Sequence, residues 1–168
     1  MLRAFMLSLL LPAVVCVSLA ADGGPTIAVN LPDGTRFDLT ESSLRTLPRI
    51  SVVAEFHGKS QEFQGVDLLA ALKLAGLEPT TSLRGAALSL IVVAEGADGY
   101  RAAFSLAELD PTIGAKQVLL ADSADGLPLP DGNGPWRLVV ASDKRAARWV
   151  WSLVRIEVLH ERGNSPQL

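Results

Sequence analysis

Residues 131–149 read Asp131-Gly-Asn-Gly-Pro-Trp-Arg137-Leu-Val-Val-Ala-Ser-Asp-Lys144-Arg145-Ala-Ala-Arg148-Trp149, which is a Gly/Pro turn, an apolar strand and a basic cluster in direct succession. A Gly- and Pro-rich run that breaks into β-branched residues ends one strand and starts the next. Before it, Val118–Ala121 is an apolar strand and 125–134 an acidic Gly/Pro loop; after it, Leu153–Leu159 alternates apolar residues with Arg155 and Glu157 as the final strand. No helical period intervenes, so this third of the chain does not build βαβ units.

The same reading extends upstream. Ser105-Leu-Ala-Glu108 has capping-box spacing and opens a short helix that ends before Pro111. Ala86–Ala94 is a continuous apolar run that reads as a buried central strand, with Tyr100–Phe104 as its partner across a turn at 95–99. Val66–Ala75 carries apolar residues at helical spacing, with Gly76 as the C-terminal cap. Ile50–Phe56 and Ser60–Phe63 are strands around His57-Gly58-Lys59, and Thr26–Asn30 and Thr35–Leu39 form a hairpin around Leu31-Pro-Asp-Gly34. Thr40 starts one or two helical turns that Pro48 stops. Many strands, few short helices and no repeat predict an α+β fold with a mixed sheet.

Residues 1–20 carry one positive charge at Arg3, an apolar run from Ala4 to Val17, and small residues at Ser18 and Ala20. That pattern predicts a secretory signal peptide and a periplasmic or secreted product. The run is shorter than the roughly 20 residues a membrane span needs, and no later segment matches it. The remaining chain, roughly 150 residues, fits one domain with a real core. The expected division is 1–20 leader, 21–49 hairpin and short helix, 50–160 main domain and 161–168 polar tail.

The net charge of −3 makes nucleic acid a poor partner. Cys16 is the sole cysteine and falls inside the leader, so the rest of the chain offers no thiolate ligand or thiol nucleophile. His57 and His160 join no carboxylate at metal-ligand spacing, and there is no G-x-S-x-G elbow, Walker loop or dinucleotide fingerprint. No catalytic or metal-ligating residue is assigned. The basic set Arg137, Lys144, Arg145 and Arg148 is the candidate site, because guanidinium forks suit phosphate and carboxylate. The competing reading makes 144–148 a solvated turn whose stems cover apolar surface, with Trp136, Trp149 and Trp151 as core or rim packing.

The order of several short motifs is more specific than any one. Gly65-Val-Asp-Leu-Leu-Ala-Ala-Leu-Lys-Leu-Ala-Gly76, Asp98-Gly-Tyr100, Val118-Leu-Leu-Ala-Asp122, Gly126-Leu-Pro-Leu-Pro130, Gly134-Pro-Trp-Arg137, Arg148-Trp149 and Arg155-Ile-Glu-Val158 follow one another. Together they resemble the molybdopterin-binding domain of the sulfite oxidase family. The resemblance implies that 50–160 is a mixed α+β domain wrapping a molybdenum cofactor, in a family that oxidises sulfite, reduces nitrate or reduces oxidised methionine. It implies that Arg137 and Arg148 match basic positions around the pterin and its phosphate. The chain departs from the pattern in two places: the family's metal-binding cysteine is expected near Ser51-Val-Val-Ala-Glu55, where there is none, and Asn133 stands where a histidine is usual. The leader also lacks the twin arginines with which folded, cofactor-loaded proteins are exported. Two readings follow: an exported anion- or pterin-binding accessory module without redox chemistry, and a molybdenum-cofactor oxidoreductase acting on sulfite, a sulfoxide or a similar small oxyanion.

Overall fold

The computed structural model describes residues 24–77, 83–130, 132 and 134–160. The expected leader, the tail from Glu161 and Asn133 lie outside them.

Strands β1 (Thr26–Asn30) and β2 (Arg36–Thr40) are the expected hairpin, and Thr40 caps α1 (Glu41–Leu44) with its side chain. β3 (Arg49–Phe56) turns at His57-Gly58, both at positive φ, into β4 (Lys59–Asp67). β4 runs farther than its apolar pattern predicts and takes Val66, so α2 spans Leu68–Leu74, with Asp67 as N-cap. The apolar run at Ala86–Ala94 does not form one strand. Gly85–Ser89 is a 3-10 turn, and only β5 (Leu90–Gly96) is extended, with buried and half-buried residues alternating. An apolar run carries no period of its own, and Gly85, at φ +55, supplies the break.

β6 (Arg101–Ser105) pairs with β5, and Ser105 and Glu108 close the capping box of α3 (Leu106–Leu109). β7 (Leu119–Ala124), the two-residue β8 (Leu127–Pro128), β9 (Arg137–Val139) and β10 (Leu153–His160) complete the set.

The strands form two five-stranded sheets. The first has the order β2-β1-β10-β5-β6 and is mixed, because β1 lies parallel to β10 while its other pairs are antiparallel. The second is antiparallel, in the order β3-β4-β7-β8, with β9 on β7 beside β8. Ile27, Val92, Phe104 and Ile156 from the first and Phe63, Leu119 and Leu138 from the second enter one buried cluster. The α+β architecture with few short helices is thus as the sequence predicts. No helix among the described residues is long and apolar enough to cross a membrane.

Candidate functional site

The register of β9 decides what surrounds Arg137. Arg137 lies opposite Ala121 on β7, and Leu138 forms an isolated antiparallel bridge with Val150. Antiparallel pairing at 138 and 150 sets Trp151 across from Arg137 and Trp149 across from Val139, side chains on the same face. The guanidinium carbon of Arg137 is accordingly 3.7 Å from the centre of the Trp151 ring, and 5.6 Å from that of Phe63. Phe56 bridges the two tryptophans, 5.2 Å from Trp151 and 5.7 Å from Trp149, and Trp149 meets Phe63 edge-on.

Arg137 is only 4% exposed. No described residue accepts a hydrogen bond from it or pairs with it, and its Nε is buried without a partner. Burial alone acts on its charge, pulling its pKa down to about 10. A buried cation faced only by aromatic rings is rare, because the ring quadrupole replaces part of the lost hydration and none of the lost hydrogen bonds.

The other three basic residues have separate fates. Arg148 is turned into an ion cluster: its Nε and Nη2 each donate to Asp143 at 2.8 Å, and Nη1 donates to Glu108 at 3.3 Å. Lys116 donates to the same Asp143 at 3.0 Å, and the Arg148 guanidinium also lies over Phe104. The hydrogen bonds from Arg148 and Lys116 hold the Asp143 carboxyl below its ordinary range, and Asp143 in turn raises Arg148. The Tyr100 hydroxyl donates to the carbonyl of Ala147, tying the β5–β6 turn to the same loop.

Lys144 and Arg145 remain exposed on the rim of a cavity of about 520 Å³. Its opposite wall is the end of β3 and its turn, Ala54, Glu55, Phe56 and His57, with Trp149 between. Of the four candidate residues, then, Lys144 and Arg145 share a cavity, Arg137 lies outside its lining, against Trp151 and Phe63, and Arg148 is held by two carboxylates. Asp143, Phe56 and Trp151 were not singled out by sequence as site residues. Alternation about Val150 is the signal that pairs Trp149 with Trp151; the fold alone brings Phe56 to them.

A family model described as the oxidoreductase molybdopterin binding domain matches residues 27–167. The chain belongs to that family. Sulfane dehydrogenase SoxCD from Paracoccus pantotrophus is similar in structure, with a TM-score of 0.62 and 22% sequence identity over 80% of this chain. The chain spans 38% of that protein's chain, so the likeness is one of fold. No curated protein matches.

The family implies a molybdopterin group. As a member of it, this chain has residues that fit the group's anionic part: Arg137 is a buried positive charge that no described carboxylate pairs with, and Lys144 and Arg145 carry exposed charge on the cavity rim. They do not fit a thiolate-held metal. Residues 24–168 contain no cysteine, and β3, where the resemblance expects one, brings Ala54 and Glu55 to the cavity wall. Among the described residues no three His, Cys, Asp or Glu side chains group as metal ligands.

Proposed function

We propose that this chain is an exported accessory module that binds an anionic ligand of the pterin-phosphate class and carries out no redox chemistry. The observation that carries the reading is Arg137, buried to 4% exposure with no anion to receive its charge. A buried charge costs several kcal/mol unless it is paired, and an arriving anion supplies the missing partner. Lys144 and Arg145 at the cavity rim draw the ligand inward, and their charge acts on encounter more than on final affinity. The signal-peptide pattern of residues 1–20 supports export, and its single arginine supports passage without a preloaded cofactor.

The second reading, a molybdenum-cofactor oxidoreductase, is favoured by the family match over residues 27–167. Molybdenum and extractable pterin, assayed in protein purified from a cofactor-competent host, separate the two. Pterin or phosphate binding without metal is the expected result, and stoichiometric molybdenum overturns the accessory reading.

A further inference from the structure

We infer that β3 is a pairing edge for a second copy of this chain: the two β3 strands lie antiparallel about Val52, and the antiparallel sheets of the two copies run on as one. The pairing itself does not depend on the anion-binding reading. Its effect on the cavity does, because β3 ends at the cavity wall.

The edges of the two sheets are not alike. β8 is two residues long and includes Pro128, while β2 and β6 have five residues each. β3 has eight, with no Pro or Gly among them, and it pairs with β4 without a register shift. Among the described residues only β4 makes backbone hydrogen bonds to residues 49–56. Every second N–H and C=O of β3 therefore points outward without a partner. Edges are commonly blunted by a lysine, a proline or a bulge. The middle of β3, Ile50-Ser-Val-Val-Ala54, has none of these, and Val53 on it is 65% exposed.

The sequence of β3 selects the partner. With Val52 on a two-fold axis, Arg49 stands opposite Glu55 of the second copy, Ile50 opposite Ala54 and Ser51 opposite Val53. Opposite residues share a face, so each end of the paired strands carries an opposite-charge pair. Sliding by two residues sets Arg49 opposite Val53 or His57 and Glu55 opposite Leu47 or Ser51, so the centred register alone matches both charges. A two-fold pairing also closes at two copies and leaves no β3 edge open.

Both charged residues have capacity for the contact. The Glu55 carboxylate meets no described partner and lines the cavity wall. Arg49 donates from Nη1 and Nη2 to Asp122 at 2.7 Å each, which fixes the fork and leaves its Nε without a described acceptor. The second copy thus brings a cation against a carboxylate that the cavity wall leaves unpaired, and lowers the repulsion an incoming anion meets there.

Sedimentation equilibrium of wild type, Val53→Lys and Glu55→Lys tests the edge, together with disulfide formation between Ser51→Cys and Val53→Cys proteins mixed in equal amounts. Residues 24–168 have no native cysteine to compete. The expected result is a wild-type dimer whose dissociation constant rises roughly tenfold or more in Glu55→Lys. Val53→Lys is expected to be monomeric with an unchanged far-ultraviolet circular dichroism spectrum, and peptide mapping to find the 51–53 disulfide between copies. A wild type that is monomeric at high micromolar concentration overturns the proposal. So does a dimer that both lysine variants leave intact and that forms no 51–53 disulfide. Phosphate titration of the same samples keeps the two readings apart: a dimer that binds no phosphate sinks the anion reading and leaves the pairing standing, and a monomer that binds it does the reverse.

Discussion

The Arg137 guanidinium faces the Trp151 ring at 3.7 Å and gives no hydrogen bond to any described residue. Binding and stability therefore pull in opposite directions at this position. Replacing a buried unpaired charge with an apolar side chain of similar length removes a desolvation cost and keeps the packing. Arg137→Met is expected to raise the melting temperature by roughly 3–5 °C, about 1 kcal/mol. It is also expected to abolish the stabilisation that phosphate gives the wild type. Thermal unfolding with and without phosphate checks both; a fall in melting temperature shows that Arg137 is held by something other than an incoming anion.

Asp143 accepts from both Arg148 and Lys116, and its side chain is largely buried. Its folded pKa lies below the unfolded value of 3.8, so the unfolded state takes up protons first as the pH falls. The cluster's contribution is thus complete above 3.8 and is lost as the pH drops through the lower, folded value. Asp143→Asn is expected to cost about 1–2 kcal/mol at pH 7. It should also flatten the acid limb of the stability curve below pH 4. Urea unfolding between pH 3 and 7 measures both, and an unchanged acid limb in the variant refutes the assignment.

Lys144 and Arg145 are exposed, and neither takes part in a described ion pair or hydrogen bond, so their removal leaves the fold alone. The double variant Lys144→Ala/Arg145→Ala is expected to keep its melting temperature within about 1 °C. Anion binding should weaken roughly threefold to tenfold at low salt, and the difference from wild type should shrink as salt is added. Phosphate or pyrophosphate titration at two ionic strengths measures this, and equal affinities at low salt return the pair to a plain solvated turn.

The parts of this fold legible in the sequence are those with local causes. The Thr40 cap, the Ser105–Glu108 capping box and the Leu31–Gly34 turn each stand where residue chemistry satisfies backbone groups a few positions away. Gly85–Ser89 escaped because an apolar run is silent about period. The candidate site was legible in residue type and not in placement. Arg137, Lys144, Arg145 and Arg148 share a stretch of sequence, yet the inward face of β9, the solvated rim and the Asp143 carboxylate send them to different surroundings. Those partners come from Phe56, Phe63, Phe104, Glu108 and Lys116, distant in sequence and brought close only by the sheets.

Gly65 links the fold to the site, and its reason is contact rather than flexibility. It sits on β4 opposite Ala121, at the point where the β4–β7 register shifts, and Ala121 in turn lies opposite Arg137. A Cβ at this position would come 2.0 Å from the Leu120 carbonyl oxygen and 2.7 Å from the Ala121 Cα. Both are backbone atoms of a buried strand, so no rotamer change relieves the clash, and β7 must move away from β4 and carry β9 with it. Gly65→Ala is expected to destabilise the protein by about 3 kcal/mol or more. Any folded fraction should lose anion binding, because the ladder that fixes Arg137 has shifted. Gly24→Ala is the matched control, since a Cβ there meets nothing within 4 Å. Chemical denaturation of both variants, with phosphate titration of the folded protein, decides the point. A Gly65→Ala protein with wild-type stability and wild-type phosphate affinity rules out the close approach of β4 to β7 as what positions Arg137.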